Sequence, residues 1–374
     1  MASPLTLSTR QLNRALLARQ LLLGRSTLSA AETLDRLVGL QAQTPISPYV
    51  ALWSRLRDFD PLELSALIED RRAVRLGLMR GTIHLVTDAD ALGLRPAIQP
   101  VGENAWRSSP FRKALGDIDL GVLLAESRRL LDEKPRSAAE LGAALAERWP
   151  GRDPASLAYA SRFLLGLVQV PPRGLWGRTG LARHTTLEAW TGRPMAETAA
   201  PDDAVLRYLA AFGPATVADI RTWSWLTGLR DVVERLRPRL RTFRDEHGRE
   251  LFDVPDGLLP EADLPAPPRF LPDYDNVVLS HADRTRIVPP TVRQQVLWDW
   301  GALLVDGFVA GTWKIVPAKR ARTLAIRTLA PLAGDDAAAV ADEGRRLLAF
   351  MAPDGDPADV TITTDPDQLN GRVR

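Results

Sequence analysis

The chain has 374 residues, of which 45% are hydrophobic and 25% charged, so it is a globular sequence too long for a single hydrophobic core. The absence of cysteine excludes disulfides, thiolate metal sites, iron–sulfur clusters and cysteine nucleophiles, and a net charge of +2 gives no general attraction to polyanions. No apolar run reaches the roughly 18 residues of a membrane span and no secretory signal is found, so we expect a cytoplasmic protein.

Arginine dominates the basic residues, since only four of the 48 are lysines. A GC-rich genome explains an excess of arginine, alanine and proline without any functional cause. Alternatively, some of the arginines form a phosphate-binding stripe, because a guanidinium matches the geometry of a phosphate. Composition does not separate these two explanations, and only the positions of the arginines can.

A unit of three helices closed by a hairpin recurs three times in the first two thirds of the chain. In each copy the second helix opens with a capping box, where a hydroxyl and an acid satisfy free N–H groups: Ser29–Glu32, Ser137–Glu140 and Thr216–Asp219. One capping box begins many ordinary helices, but three copies with hairpins are typical of tandem winged helices. The sequence predicts an α+β fold with winged helices at 1–118, 119–200 and 201–262.

The predicted elements of these units follow in chain order. The first unit has helices at Thr9–Leu23, Ala30–Leu40, Pro48–Phe59 and Pro61–Asp70, then strands at Val74–Met79 and Thr82–Val86. The second has helices at Asp119–Asp132, Ala138–Trp149 and Pro154–Val168, then a hairpin with a glycine turn over Gln169–Arg178. The third has helices at Asp202–Phe212, Val217–Leu226 and Leu229–Leu240, then a hairpin of Leu240–Phe243 and Glu250–Val254.

The last third of the chain, 263–374, is predicted to be a small, mostly β, barrel-like domain with one helix. A proline-rich linker at Glu261–Pro272 precedes its predicted strands. Asp306-Gly307 is a strong signal for a two-residue hairpin turn. The predicted strands are Asn276–Ser280, Arg286–Val288, Ala302–Val305, Phe308–Val316, Thr323–Leu329 and Val360–Thr363, and the helix is Asp335–Met351.

Several kinds of chemistry find no support in the sequence. The four histidines (His84, His184, His247 and His281) are not spaced as metal ligands. There is no phosphate-binding loop, no glycine-rich turn after a first strand and no nucleophile elbow. We therefore expect a protein that works without a metal or a cofactor.

Gln41 and Gln43 lie where two prolines interrupt a helix. Pro45 and Pro48 disfavour helical geometry at the residue before each, so the capped helix is expected to end near Gln41. In an extended segment, residues two apart share one side. Both glutamines are therefore predicted to point into one cleft, although two polar residues that merely solvate a helix end give the same pattern.

Further polar residues are candidates for contact with nucleic acid. Strand alternation places Thr82 and His84 on one face, and Arg80 extends this row, although an ordinary wet surface shows the same pattern. Trp176, in the second hairpin, is either a minor-groove wedge or folds back on its own domain. The other candidates are Arg173 and Arg178 in that hairpin, and His281, Arg284, Arg286, Trp313 and Lys314 near the last domain.

Five segments, in order along nearly the whole chain, resemble the AlkZ/YcaQ-like DNA glycosylases. They are Gly-Leu-Gln-Ala-Gln at 39–43, Arg-Gly-Thr-Ile-His-Leu-Val at 80–86, Gly-Pro-Ala-Thr at 213–216, Leu-Pro-Asp-Tyr-Asp-Asn at 271–276 and Gly-Thr-Trp-Lys at 311–314. The resemblance implies three winged helices and a β-barrel in a C-shaped protein that binds double-stranded DNA. It implies monofunctional excision of alkylated purines and unhooking of interstrand crosslinks, with Gln41 and Gln43 on the family's Gln-aliphatic-Gln catalytic motif. We expect a nucleoid-associated monomer, with resistance to crosslinking antibiotics as one role.

Glutamine cannot ionise, so it is no strong base, but its amide can hold a water and place a dipole beside a developing cation. Such modest help suffices only for a good leaving group, such as cationic N7-alkylguanine or N3-alkyladenine. Asp273 and Asp275 are auxiliary candidates, either as a proton acceptor or in a structural or DNA-proximal role. The alternative functions are a non-catalytic winged-helix regulator and a protein that sequesters an alkylating drug.

Overall fold

The computed structural model describes residues 5–196, 201–292, 300–318, 321–352 and 358–365. In these ranges no helix is both long and apolar enough to cross a bilayer. Helices and open sheets are mixed along the whole chain.

The predicted helices and strands of the first unit all form, with ends shifted by a few residues. The structure adds two helices after the second strand, of which the first spans 21 residues and contains Pro96 and Pro100, a composition that hides it from a sequence pattern. The elements are β1 (Thr6–Leu7), α1 (Thr9–Arg19), α2 (Ala30–Arg36), β2 (Leu40–Gln41), α3 (Ser47–Arg55), α4 (Pro61–Glu69), β3 (Ala73–Gly77), β4 (Ile83–Thr87), α5 (Asp88–Ser108) and α6 (Pro110–Leu115).

All three predicted capping boxes are confirmed, because the hydroxyls of Ser29, Ser137 and Thr216 each accept the N–H three residues further on. The second predicted unit contains α7 (Leu120–Glu133), β5 (Arg136–Ser137), α8 (Ala138–Arg148), α9 (Pro154–Leu164), β6 (Leu167–Val170), β7 (Arg183–Thr186) and α10 (Leu187–Thr191). The third contains α11 (Pro201–Phe212), α12 (Val217–Ser224), α13 (Leu229–Leu236), β8 (Arg241–Asp245) and β9 (Glu250–Asp253).

The predicted tight hairpin at 169–178 is wrong. Pro171 and Pro172 have no N–H for a strand ladder, so β6 ends at Val170 and β7 begins only at Arg183. The two strands still pair antiparallel, and residues 171–182 form a long loop between them.

One six-stranded sheet joins the first two predicted units, with strand order β2-β4-β3-β6-β7-β5. Its first strand, β2, pairs antiparallel with β4 so that Gln41 lies opposite His84. A second sheet, β1-β8-β9, pairs the start of the chain with the hairpin of the third unit. The sheet order therefore brings Gln41 beside the segment that contains Arg80 and His84.

The C-terminal elements form an open five-stranded sheet, which corrects the barrel-like prediction. Its order is β10-β11-β12-β13-β14, so β10 and β14 are edges of the described sheet and do not pair with each other. The Asp306-Gly307 turn is confirmed, with φ of 47° and 81°. The elements are β10 (Arg269–Leu271), α14 (Asn276–Leu279), β11 (Gly301–Val305), β12 (Phe308–Ala318), β13 (Ala321–Thr328), α15 (Gly334–Met351) and β14 (Ala358–Thr364).

Three predictions in this region are wrong. The segment 276–280 is helical rather than extended, because the carboxylate of Asp275 accepts the N–H of Val277 and begins a short helix. Residues 286–288 lie in turns. The predicted linker contains β10, which pairs with β11.

Candidate catalytic site and nucleic-acid interface

A turn at Gly39 sets the direction of the chain that leads into Gln41. After α2 ends at Arg36, Gly39 has a φ of 83°, and a Cβ there would lie 2.3 Å from Cγ1 of Val86, so only glycine fits. The chain then runs extended through Gln41 along β4. The helix therefore ends five residues before the predicted point, and the predicted extended segment is confirmed at Gln41.

The side-chain amide oxygen of Gln41 already accepts a hydrogen bond. It accepts a hydrogen bond from Nη2 of Arg80 at 2.6 Å, and the side chain is only 6% exposed. Arg80 also donates to the carbonyl oxygen of Trp223 at 3.0 Å and lies 3.4 Å from Nε2 of His84. No hydrogen bond from the amide N–H₂ of Gln41 is found in the described residues, so Gln41 offers donors to a ligand.

Gln43, in contrast, leaves the oxygen of its side-chain amide available. Its side chain is exposed, and its oxygen accepts only a long, 3.4 Å hydrogen bond from the N–H of Ile83. Between the glutamines, Ala42 is held by its N–H to Ile83 at 2.8 Å and by its carbonyl to Nη2 of Arg75 at 2.9 Å. Both glutamines thus contact the segment 80–84, and Gln43 keeps an oxygen available as an acceptor.

His84 is a structural neighbour of the glutamines rather than a surface residue. Its Nδ1 lies 3.1 Å from the carbonyl of Thr82, so the N–H sits there and Nε2 is left to accept from Arg80. Burial, reinforced by the charge of Arg80, lowers the pKa of His84 to about 3. The prediction that His84 contacts DNA is corrected, because the ring is 1% exposed. Thr82 is half-buried and donates to the carbonyl of Met79.

Several arginines lie around the two glutamines, and their guanidinium groups have no carboxylate partner among the described residues. Burial, together with the charge of Arg173, lowers the pKa of Arg75 to about 10. Burial, together with the charge of Arg284, lowers the pKa of Arg80 to about 10. The Nε atoms of Arg75 and Arg284 are buried and form no hydrogen bond. Unpaired buried cations are unfavourable, so this arrangement favours an anionic ligand.

Residues 273–276 form hydrogen bonds to both ends of the segment 39–47, which carries the two glutamines. The carboxylate of Asp273 accepts hydrogen bonds from the hydroxyls of Thr44, at 2.6 Å, and of Ser47. The amide of Asn276 donates to the carbonyl of Gly39 at 2.7 Å. We call residues 273–276 the clamp, since they hold residues 39–47 from outside.

Asp275, predicted as an auxiliary catalytic residue, lies in the interior instead. It forms a 2.8 Å ion pair with Arg55, and both side chains are completely buried. A carboxylate so enclosed cannot reach a substrate, which corrects this prediction. Asp273, the other auxiliary candidate, is half-buried and bonded to the loop that carries Gln43.

The hairpin candidates lie in the loop 171–182. Trp176 packs against other parts of the chain, with its ring 5.1 Å from that of Tyr49 in α3 and 4.9 Å from that of Phe350 in α15, so it neither forms a wedge nor folds back on its own domain. Arg173 is half-buried and donates to the carbonyl of Gly180. Arg178 is exposed.

Three of the remaining candidates are interior residues, which corrects their prediction as DNA contacts. His281 lies 3.1 Å from the carbonyl of Phe212, and Arg286 donates to the carbonyl of Pro214 at 2.9 Å. Trp313 donates to the carbonyl of Leu271 and is 7% exposed. Lys314 is exposed on β12, 5.7 Å from the ring of Trp300, and Arg284 is half-buried near Arg80.

Two features of the site were missed by sequence reasoning. Arg75 was not singled out, although a charged residue inside the apolar strand 73–77 was an available signal. The partners of Asp273 and Asn276 lie more than 200 residues away, and no local pattern reveals them. In the described residues no group of three His, Asp or Glu side chains is arranged to hold a metal ion.

Comparisons with known proteins cover the whole of this site. A family model described as DNA glycosylase AlkZ-like matches residues 34–350. A relative from Streptomyces sahachiroi, named an interstrand DNA cross-link repair glycosylase, is 26% identical over 343 residues, 83% of this chain and 88% of the relative. The solved structure described as Streptomyces sahachiroi DNA glycosylase AlkZ aligns with a TM-score of 0.75 at 20% identity, over 96% of this chain and 100% of that one.

Proposed function

The chain belongs to the AlkZ-like DNA glycosylase family, and on this premise we propose that it excises cationic N7- or N3-alkylated purines from double-stranded DNA and unhooks interstrand crosslinks. The observation that carries the proposal is a pair of neutral amides on one extended segment, surrounded by arginines without carboxylate partners. The name of the Streptomyces sahachiroi relative supports the crosslink activity. The division into winged helices at 1–118, 119–200 and 201–262 stays a prediction.

The two amides have complementary hydrogen-bonding ends. Gln41 offers N–H donors because Arg80 occupies its oxygen, and Gln43 offers an oxygen acceptor. A water that accepts from Gln41 and donates to Gln43 is fixed in orientation, with a lone pair left to attack C1′ of the sugar. The carbonyl dipole of Gln43 also stabilises the developing oxocarbenium ion.

Neither glutamine removes a proton, so the leaving group must need none. An N7-alkylguanine or N3-alkyladenine carries a positive charge on the base and leaves as a neutral molecule. Cleavage transfers this charge to the sugar, and water then adds to C1′ and releases a proton to solvent. The residue types therefore limit the substrate to alkylated purines that are already labile.

DNA phosphates supply the negative charge that the arginines of the site lack. Arg80 and Arg284 have no carboxylate partner among the described residues, and each phosphate of a bound duplex carries one negative charge. Contacts of this kind release counterions, so affinity is expected to decline steeply with salt concentration. A binding constant that stays flat between low and physiological salt would contradict this part of the proposal.

Base release tests the proposal directly. Purified protein is incubated with a duplex that contains N7-methylguanine, and with a crosslinked duplex, and the freed base and unhooked strands are measured. We expect release by the wild type and its loss in Gln41→Ala and Gln43→Ala. Gln99→Ala is the matched control, because Gln99 lies on α5 and bonds to Glu103 and to the carbonyl of Leu164. Tight, sequence-specific binding without release would favour the regulator, and stoichiometric capture of free alkylator would favour the sequestering protein.

A further inference from the structure

Trp225 is an exposed aromatic residue in an unfavourable backbone conformation. It ends α12, with its N–H donating to the carbonyl of Arg221 at 2.7 Å, and it has a φ of 64°. Glycine or asparagine is the usual residue in such a left-handed cap. The side chain is nevertheless 56% exposed, so its burial within the fold does not offset the strain.

Trp225 lines a surface cleft of about 550 Å³, a size typical of ligand sites. Arg221, Thr222 and Thr227 line the same cleft. Arg221 is exposed and forms no ion pair with any described residue. An aromatic face beside a free guanidinium matches the chemistry of a nucleotide, with its flat base and its phosphate.

The cleft lies next to the candidate catalytic site. The carbonyl of Trp223, two residues before Trp225, accepts the hydrogen bond from Arg80, which in turn holds Gln41. Two residues of chain span at most ~7 Å. Ala282, two residues before Arg284, also lines the cleft. Two of the residues that line the cleft, Trp225 and Ala282, are therefore each two residues from a group that interacts with Arg80.

We propose that Trp225 stacks on a nucleobase of the bound duplex beside the lesion, while Arg221 binds the phosphate of that nucleotide. This inference rests on the proposed function, because it places the DNA across Gln41 and Gln43. Stacking tolerates any base sequence, since every base has a π face. Trp225 thus contributes to affinity and to local unstacking at the lesion rather than to bond cleavage.

The test uses a duplex with 2-aminopurine next to N7-methylguanine, whose fluorescence reports stacking of that neighbouring base. Trp225→Gly removes the indole and relieves the left-handed strain, so the variant keeps its fold, as a thermal unfolding midpoint equal to or above that of the wild type verifies. We expect it to bind the duplex about ten-fold more weakly and to lose the change in 2-aminopurine fluorescence, whereas Trp225→Phe retains most of both. Leu258→Ala, which also removes an exposed apolar side chain, is the control.

Two negative results have different meanings. If the wild type releases N7-methylguanine but Trp225→Gly and Trp225→Ala bind and alter fluorescence as it does, the stacking inference is wrong and the proposed function stands. If the wild type releases no base from any alkylated duplex, the proposed function fails. The fluorescence change on binding then decides independently whether Trp225 stacks on DNA.

Discussion

Gln41 and Gln43 have identical side chains but different partners, and the difference assigns each a separate role. The oxygen of Gln41 is bonded to Arg80 at 2.6 Å, while the oxygen of Gln43 has only a 3.4 Å contact with a backbone N–H. A charged partner makes the first bond the stronger one. Gln41 is thus a fixed donor and Gln43 an available acceptor.

Glutamate substitutions at the two positions are expected to have unequal effects. Gln43→Glu keeps an acceptor, so we expect the single-turnover rate of base release to stay within about ten-fold of the wild type. Gln41→Glu replaces the donors with a carboxylate that pairs with Arg80, and loss of such a fixed donor costs about 100-fold or more. Equal losses in both variants would refute the division of roles.

At the residue scale, the sequence predicted which residues lie together better than how each of them is held. Gln41, Gln43 and Arg80 were predicted as site residues, and the structure brings them together. The burial of His84 was not predictable, because it depends on Arg80 turning back over the ring from a left-handed backbone conformation. Whether a polar side chain on a strand is exposed or buried depends on the residues that pack against it, and the alternation of residues along the strand does not identify them.

Among the elements, the clamp at 273–276 holds residues 39–47, which carry both glutamines, through side-chain hydrogen bonds. Asp273 holds two hydroxyl groups, of Thr44 and Ser47, in the loop directly after Gln43. Hydrogen bonds to a carboxylate contribute about 1.5–3 kcal/mol each. The clamp therefore restricts the position of Gln43 and of any water bound to it.

Asp273→Ala is expected to slow base release about ten-fold or more and to leave the Kd for duplex DNA nearly unchanged. The physical reason is that small misplacement of a reacting group lowers the rate strongly, while phosphate contacts elsewhere persist. Single-turnover rates and equilibrium binding separate the two effects. Thr44→Val serves as the graded control, because it removes one of the two bonds, and a variant that binds weakly but cleaves normally would contradict the assignment.

Elements were predictable where their signals are local. The three capping boxes and the Asp306-Gly307 turn depend on residues within one turn of chain, and all of them form. The segment 276–280 is apolar enough for a strand but becomes a helix through the cap at Asp275. The strand β10 has only three residues and exists because β11 pairs with it, so no pattern within 261–272 reveals it.

Across the whole molecule, several arginines form ion pairs that connect distant parts of the chain, which the composition does not reveal. Two buried ion pairs join residues far apart in the chain, Arg19 with Asp253 and Arg55 with Asp275, and buried Arg14 pairs with half-exposed Asp306. Neither a genomic bias nor a phosphate stripe predicts these contacts. They connect the N-terminal helices to the third unit and to the C-terminal sheet.

Arg55→Met is expected to lower the free energy of unfolding by about 3–5 kcal/mol, because it leaves Asp275 charged and unpaired in the interior. The double variant Arg55→Met, Asp275→Leu removes both charges and is expected to recover most of that loss. Urea unfolding followed by circular dichroism measures both values. A double variant as unstable as the sum of its single substitutions would show that the pair itself, rather than the unpaired charge, dominates.

Acid is expected to destabilise the fold before the carboxylates titrate. Burial lowers the pKa of His84 to about 3 and also lowers the pKa of His281, whereas histidine in an unfolded chain titrates near 6.5. Between these values the unfolded chain binds protons that the folded protein excludes. The stability from each buried histidine is therefore complete above pH ~6.5 and is lost as pH falls, by up to about 1.4 kcal/mol per pH unit.

Urea unfolding at pH 7.5, 6 and 5 measures this slope. Burial also lowers the pKa of His184, to about 4, so three histidines contribute to the slope. His84→Asn removes one of them, so the slope of the free energy of unfolding below pH 6.5 is expected to fall by the contribution of about one proton, whatever the substitution does to stability at pH 7.5. His247→Gln is the matched control for loss of a histidine, because His247 is exposed in the β8–β9 turn. Equal slopes in the wild type and His84→Asn would mean that His84 takes up a proton within the folded protein, and the hydrogen bond from Arg80 to its Nε2 could not then persist in acid.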